Sequence, residues 1–572
     1  MVDTDTATVR RPGPLLPARQ AQEAAPRVPL AHPWPALAVL LGRPGTAEVS
    51  RDGLVLLFLL GAALVLRASG FLPSVINPDE SLYAVQAQAW LRGGWPYVAV
   101  WDMHPVGAPA LFTATFALFG ESLASLRLLG VLAVAATGFA LHRGVRAAGA
   151  GRATGLAAGL AYVACSALLD GLATNTEILL APFVAGAMAL GLGATRRALR
   201  QGPGHGEGQG QGLGQGQGQG RGQGQGLGQA PGLGVVLGAG LLVGLALVIK
   251  PVVLPLGCLV FLVLVVPGLW QRLLGWRRLA RLALAYAAAC AAPGVLVALV
   301  YALRGDWAAF LDGNLLAPLR YAGMGVPLAQ AMRLSLAAAA TLVLPLLLGL
   351  GVLLPRRRPR QAETWLARAG LAWLCAGGLA VGLPGMYFSH YFLLLLPPIC
   401  LLAALGARRL ARLARPGVVL AAFIGMFGVL ALQAWCMVVL PRLEHGIGLR
   451  LPDPPQRVAA ALNAALRPGE TIFVVNWQPL LYFLTRTVPP TRYVMPSQLT
   501  GRFAAVTGID AAAELARILA TRPRFIVLDS GHWGHVQPAA QAMVTRVLEQ
   551  DYVQHGQMPG EDGSTVELWR LR

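Results

Sequence analysis

Leu54–Phe71 reads LVLLFLLGAALVLRASGF, an apolar run whose single charge, Arg67, stands near its end. A run of this kind matches the roughly 17 to 25 residues that carry an α-helix across a hydrocarbon core about 30 Å thick. Outward from it, runs of similar character recur at Leu123–Leu141, Ala153–Leu169, Ile178–Ala194, Gly232–Ile249 and Pro251–Leu269. They continue at Leu279–Tyr301, Leu334–Leu354, Ala369–Leu383, Tyr387–Leu405 and Val418–Leu440, so about eleven spans are expected. The composition agrees. The 572 residues are 55% hydrophobic and 13% charged, with a mean hydropathy of +0.58, and soluble domains cannot bury that much apolar surface. The formal charge of +20 does not point to nucleic acid, because the arginines fall in short clusters between apolar runs, not along one polar face.

Those clusters test the parity of the span count, since cytoplasmic loops carry an excess of arginine and lysine. With the N-terminus cytoplasmic, the inner loops hold Arg143, Arg146 and Arg152, then Arg196, Arg197, Arg200 and Arg221, then Arg272, Arg277 and Arg278. Arg356–Arg358, Arg360 and Arg368 follow, and last Arg408, Arg409, Arg412 and Arg415, while the outer loops carry little beyond Arg92, Arg304 and Arg320. Had Val106–Gly120 crossed the membrane, every later cluster would face the wrong way. That short apolar run is therefore expected as a re-entrant or interfacial helix in the first outer loop.

Three further regions follow from composition. Residues 1–52 are rich in Pro, Ala and Arg and read as a largely disordered cytoplasmic segment ahead of a transmembrane domain over 53–440. Within that domain the Gly/Gln repeat over 201–231 has almost nothing to bury and is expected as a disordered cytoplasmic linker. In 441–572 short β-rich runs (Thr471–Val475, Arg524–Asp529, Thr565–Leu571) alternate with helical ones (Ala511–Ala520, Ala539–Glu549). This is the pattern of a small α/β domain, extracytoplasmic by parity. The cysteines show no CxxC or Cys/His spacing and are assigned to packing.

Candidate chemistry collects on the outer side. The first outer loop opens Asn77-Pro78-Asp79-Glu80; such acids can take a proton from a hydroxyl acceptor, or Asp79 can simply cap a helix over Ser81–Leu91. Trp101-Asp102-Met103-His104-Pro105 follows in the same loop, where Asp102 and His104 can bind a phosphate or a metal, or order the chain. Glu177 stands at the mouth of the fourth span, where the helix dipole alone would favour an acid. Lys250, the only lysine in the chain, sits between apolar runs in Leu245-Ala246-Leu247-Val248-Ile249-Lys250-Pro251. An intramembrane lysine costs on the order of 3 kcal/mol and marks a functional site by default, with snorkelling as the plain alternative. Arg67, Arg127, His390 and Tyr391 lie near the same face and can hold a phosphate or anchor helices at the headgroups. Asp529-Ser530-Gly531-His532 follows a predicted strand, a place where α/β folds bind ligands and where turn residues are also common.

In their order these residues resemble the GT-C glycosyltransferases, the group that includes the dolichyl-phosphate-mannose protein mannosyltransferases and the bacterial lipid A aminoarabinose transferases. The resemblance runs over about Leu54–Ala404. It rests on the acidic pair Asp79-Glu80, on Asp102-x-His104-Pro105 before a stretch ending Phe119-Gly120, and on Arg127 opening the second span. Thr176-Glu177, the Gly244–Lys250 element, and His390-Tyr391 followed by Pro397-Pro398 complete it. Where such proteins often have Lys-Pro-Pro, this chain has His104-Pro105-Val106. The resemblance implies transfer of a sugar, with inversion, from a polyprenyl-phosphate carrier to an acceptor hydroxyl, in a bacterial-type cytoplasmic membrane. It implies that Asp79, beside Glu80, is the general base or acceptor-positioning acid, that Glu177 is a second site acid, and that Lys250 and His104 contact phosphate. Some members also use a divalent metal near these loops, for which Asp102 and His104 are the candidates here; no other cofactor is implied. The competing expectation is a transporter or flippase in which Lys250 and Glu177 line a pathway at membrane depth, far from Asp79.

Overall fold

The computed structural model describes residues 48–200, 231–354, 361–411, 416–560 and 563–572. Most of the expected N-terminal segment and nearly all of the Gly/Gln linker lie outside the described residues. Asp52–Arg572 form one compact unit; of Met1–Arg51 only residues 48–51 are described, in helical conformation.

Eight helices among the described residues are long and apolar enough to cross a membrane: Arg51–Phe71, Leu123–Ala147, Thr176–Arg197, Pro251–Trp270, Trp276–Arg304, Gln361–Gly382, Ser389–Leu410 and Ile424–Glu444. A ninth span is broken: Leu328–Thr341 and Val343–Leu353 meet at 76°. Pro345 accounts for the break, because its ring has no N–H to donate and collides with the carbonyl four residues back, at Thr341. Two expected spans form shorter helices, Arg152–Cys165 of 14 residues and Leu233–Leu247 of 15. At 1.5 Å per residue the longer of these covers only about 22 Å. Gly107–Phe119 is likewise a helix of 13 residues, too short to span and of the length expected for the interfacial segment. The chain is thus a helical multi-pass membrane protein with a small C-terminal sheet.

Burial separates centre from rim. In an 18-residue apolar stretch of each helix, 94% of Ser389–Leu410 is buried, which puts it in the middle, against 6% of Trp276–Arg304 and 17% of Ile424–Glu444. Such exposed faces, with Leu284, Leu303 and Leu432 outermost, are stable only against lipid. The six cysteines are free, Cys165 and Cys400 among the buried residues.

The C-terminal part is a four-stranded sheet of order β1-β2-β4-β3, with β1 Ile472–Val474, β2 Phe525–Asp529, β3 Tyr552–Pro559 and β4 Thr565–Leu571. β1 and β2 run parallel, and the other pairs are antiparallel. Helices Pro454–Ala465, Ala511–Ala520 and Pro538–Asp551 complete it. This part is docked on the loop between the first two spans. Asp453 accepts hydrogen bonds from the Ser74 amide (2.6 Å) and hydroxyl (2.7 Å). The Trp101 amide donates to the Arg492 carbonyl at 2.8 Å, and Phe116 stacks on Phe483 with centroids 5.4 Å apart. The sheet and this loop therefore share one face of the molecule. Toward the other end Asp52 is clamped by Arg143 and Arg146.

Candidate active site

Proline 78 and Asn77 start the helix Pro78–Leu91, with the Asn77 side chain accepting from the Asp79 amide at 2.9 Å. Capping is thus done by Asn77, and Asp79 is released from the structural role that competed for it. One residue on, Glu80 is 1% exposed and pairs with Arg127. Its carboxylate also accepts from the amides of Ile76 and Thr174, each at 3.0 Å. Glu80 and Arg127, expected among the catalytic and phosphate-binding groups, are spent on each other and on backbone; they latch the first loop to the segment leading to Glu177. Arg67 reinforces that segment by donating to the carbonyls of Gly171 (2.5 Å) and Leu172 (2.9 Å). Just before it, Leu169 and Asp170 both adopt positive φ, 55° and 58°, a costly backbone for such residues that these contacts hold in place.

The latch brings the remaining candidates together. Lys250 lies between two helices, Leu233–Leu247 and Leu254–Trp270, with extended dihedrals (φ −154°, ψ 114°), because the following proline disfavours helical conformation at its predecessor. Its ammonium donates to Glu177 Oε1 at 2.5 Å and stands 4.1 Å from the Tyr391 ring centroid. Glu177 Oε2 accepts from the Thr176 hydroxyl at 3.0 Å. The pair is deeply enclosed, with side chains 6% and 0% exposed. Beside Tyr391, His390 places Nε2 4.0 Å from Asp79 Oδ2, and the Asp79 side chain is 38% exposed. Of the acids at the centre, Asp79 is the one open to a substrate.

His104 completes the ring of charge. Its Nδ1 lies 3.1 Å from Asp102 Oδ2, and Asp102 is fully buried. Burial works against the imidazolium, but the Asp102 charge and hydrogen bond outweigh it and hold His104 above its ordinary value; Lys250 opposes this and Asp79 adds to it. Burial raises the Tyr83 hydroxyl far above its usual range, helped by the charges of Asp102, Asp79 and Glu177. The carboxylates of both loops and the lone lysine therefore act within one electrostatic neighbourhood. Tyr321, from the helix Ala317–Ala322, reaches it through a 3.4 Å contact between its hydroxyl and that of Tyr391. Nothing in the local sequence around Tyr321 signals this, and Tyr83 reads only as one more helical aromatic.

Compared with solved structures, the chain matches ArnT from Cupriavidus metallidurans bound to undecaprenyl phosphate with a TM-score of 0.58 and 15% identity, over 90% of this chain and 98% of that one. The apo state of the same protein gives 0.53 and 15%, over 91% and 98%. The chain has the GT-C fold. No family model matches the sequence, and no curated protein does.

Within this GT-C fold the metal expected of Asp102 and His104 finds no support in the donor set. Those two side chains engage each other, and among the described residues no three His, Cys, Asp or Glu side chains form a group that could hold an ion. Two clefts open on the face that carries the sheet. One of about 710 Å³, between Val98 and the Pro490–Tyr493 segment, is lined by none of the central charged residues. The other, of about 680 Å³, is lined by Pro78 and by the C-terminal part, immediately next in sequence to Asp79.

Proposed function

We propose that this protein is a membrane glycosyltransferase that moves a sugar from a polyprenyl-phosphate carrier to an acceptor hydroxyl on the extracytoplasmic face of a bacterial-type cytoplasmic membrane. The observation that carries the proposal is the enclosed Lys250–Glu177 pair at 2.5 Å beside the half-open Asp79. An ammonium has three donors; Glu177 takes one, which leaves hydrogens for the phosphate of a lipid donor. ArnT, which shares the fold, is the protein bound to undecaprenyl phosphate, and its likeness supports a carrier of that chemistry here. The arginine clusters support an extracytoplasmic position for the sheet and both loops.

In this reading the acceptor oxygen attacks the anomeric carbon from the face opposite the phosphate. The carbon–oxygen bond to the carrier breaks, and its electron pair leaves on the phosphate. The acceptor proton passes to Asp79, whose help is of the kind worth about 10² to 10⁴ in rate. Lys250, with His104 as the second cation, stabilises the charge developing on the phosphate, an effect largest where water is excluded. Glu177 fixes the lysine, and His390 and Tyr391 flank it. A transporter would keep Lys250 apart from Asp79. Here Lys250 stands over the Tyr391 ring and the neighbouring His390 lies 4.0 Å from Asp79, which favours the enzyme.

The test is to incubate purified protein with a panel of polyprenyl-phosphate sugars and detect released carrier phosphate by mass spectrometry. Asp79→Asn should abolish release with membrane insertion intact. Full turnover by that variant would remove the assignment.

A further inference from the structure

The 680 Å³ cleft has the makings of a second binding site, and Pro78, the residue before Asp79, is part of its lining. Pro78 forms one wall, and the backbone of Pro78 leads directly to Asp79. The other walls come from segments that follow β1 and β2, the parallel strands of the sheet, and from the stretch between Met495 and Arg502. In α/β folds the carboxyl ends of parallel strands are where ligands bind. Asn476 and Asp529 tie these two ends together through reciprocal hydrogen bonds of 2.9 and 2.8 Å.

One lining residue is held with unusual firmness. His532 Nδ1 lies 2.9 Å from Oδ2 of Asp529, a fully buried carboxylate. That carboxylate is itself pinned by the Gly531 amide (2.9 Å) and the Ser564 hydroxyl (2.7 Å). A carboxylate buried behind a histidine fixes the orientation of its ring. His535 stands beside His532, with ring centroids 5.2 Å apart, and Arg502 lines the same cleft. Among the described residues no aspartate or glutamate lines it, and its other polar groups are the Trp477 indole and the amides and hydroxyls of Asn476, Gln478, Ser497 and Thr500. Hydroxyl-rich ligands are met by such groups, and acidic ones by fixed arginine and histidine.

We infer that this cleft is the acceptor subsite and that its occupant is an acidic saccharide, whose charge meets Arg502 and His532 while one hydroxyl is delivered past Pro78 to Asp79. Arg502 and His532 are then specificity-determining residues, distinct from the groups that hold the donor. The inference rests on the transferase reading, but its test does not use turnover.

Full-length protein in nanodiscs is titrated calorimetrically, without donor, with a hexagalacturonate and with the neutral maltohexaose. The acidic oligosaccharide should bind and the neutral one bind at least about ten-fold more weakly. Arg502→Gln and His532→Gln should each weaken the acidic ligand by about ten-fold, the scale of one charge-assisted hydrogen bond. Binding of undecaprenyl phosphate should be unchanged in both variants. Arg502 is exposed, so its variant keeps the fold even if replacement of His532 does not. Equal binding of the two oligosaccharides, absence of binding by both, or loss of undecaprenyl phosphate binding in Arg502→Gln would each overturn the inference. A failure of the transferase reading would appear separately, as no carrier phosphate released from any donor.

Discussion

Replacing Lys250 by Met isolates what the central ion pair does. In the native protein the ammonium and the Glu177 carboxylate are 2.5 Å apart with side chains 6% and 0% exposed, so neither charge can turn to water when its partner is lost. Removing one member of such a pair costs about 3–5 kcal/mol, because the other is left buried and uncompensated. The contact between the ammonium and the Tyr391 ring is worth about 0.5–2 kcal/mol, so the carboxylate, not the ring, sets the penalty. At about 1.4 kcal/mol per factor of ten, Lys250→Met should shift the folding equilibrium by roughly two to three and a half powers of ten. Replacing both partners, Lys250→Met with Glu177→Leu, leaves no orphaned charge and should recover most of that loss. Because large proteins commonly unfold irreversibly, the readout is the half-life against thermal inactivation of the fold in detergent at fixed temperature. Transfer activity should be absent from the single and the double variant alike. A Lys250→Met protein as long-lived as the parent would refute the enclosed ion pair, and turnover by the double variant would refute the lysine's role at the phosphate.

Glu80→Gln tests the latch: stability should fall with transfer slowed but not abolished, since Glu80 faces Arg127 and backbone, and complete loss of transfer with normal stability would contradict this. A side-chain carbon at Gly107 would run into the Val248 carbonyl that its amide now meets at 2.8 Å. Gly107→Ala should therefore shorten the thermal half-life, by the overpacking cost of about 1–3 kcal/mol. His104 gives a pH signature. Its folded-state value is raised by Asp102 against the desolvation of burial, so this contribution to stability is complete below about pH 6.5, the ordinary histidine value. It disappears as pH rises through the raised value. Thermal half-lives of the wild-type protein and Asp102→Asn should differ most at about pH 6 and converge in alkaline buffer; a pH-independent gap would show that His104 does not titrate this way.

Much of the site is legible in one dimension because its costs are local. A lone lysine in an apolar run followed by proline announces itself at Lys250, and Glu177 and Asp79 are visible as acids beside helix starts. Their meeting is not visible, because it depends on Glu80 reaching Thr174 and on Arg67 reaching Gly171 and Leu172, contacts between distant segments. Hydropathy located all eleven apolar segments but not their lengths as helices. The expected spans at Ala153–Leu169 and Gly232–Ile249 form helices of 14 and 15 residues: the first gives way to a turn in which Leu169 and Asp170 take positive φ, and the second stops ahead of Pro251, neither of which interrupts an apolar run. β3 escaped notice for a different reason. Tyr552–Pro559 is an edge strand whose residues are mostly exposed, and a bulge between Gln554 and Gly556 breaks the alternation by which a strand is recognised. The latch itself was visible only as two charges of unknown partner.

The bonds from Ser74 to Asp453 join residues 379 apart. At about 5–20 residues translated per second, Ser74 leaves the ribosome roughly 20 to 75 seconds before the aspartate that will hold it. Throughout that interval the earliest hydrophobic helices can already be inserted while the loop bearing Asp79 lacks its final anchor. Biosynthesis thus imposes an order in which the membrane spans come first and the loop's anchor at Asp453 follows only after the last of them.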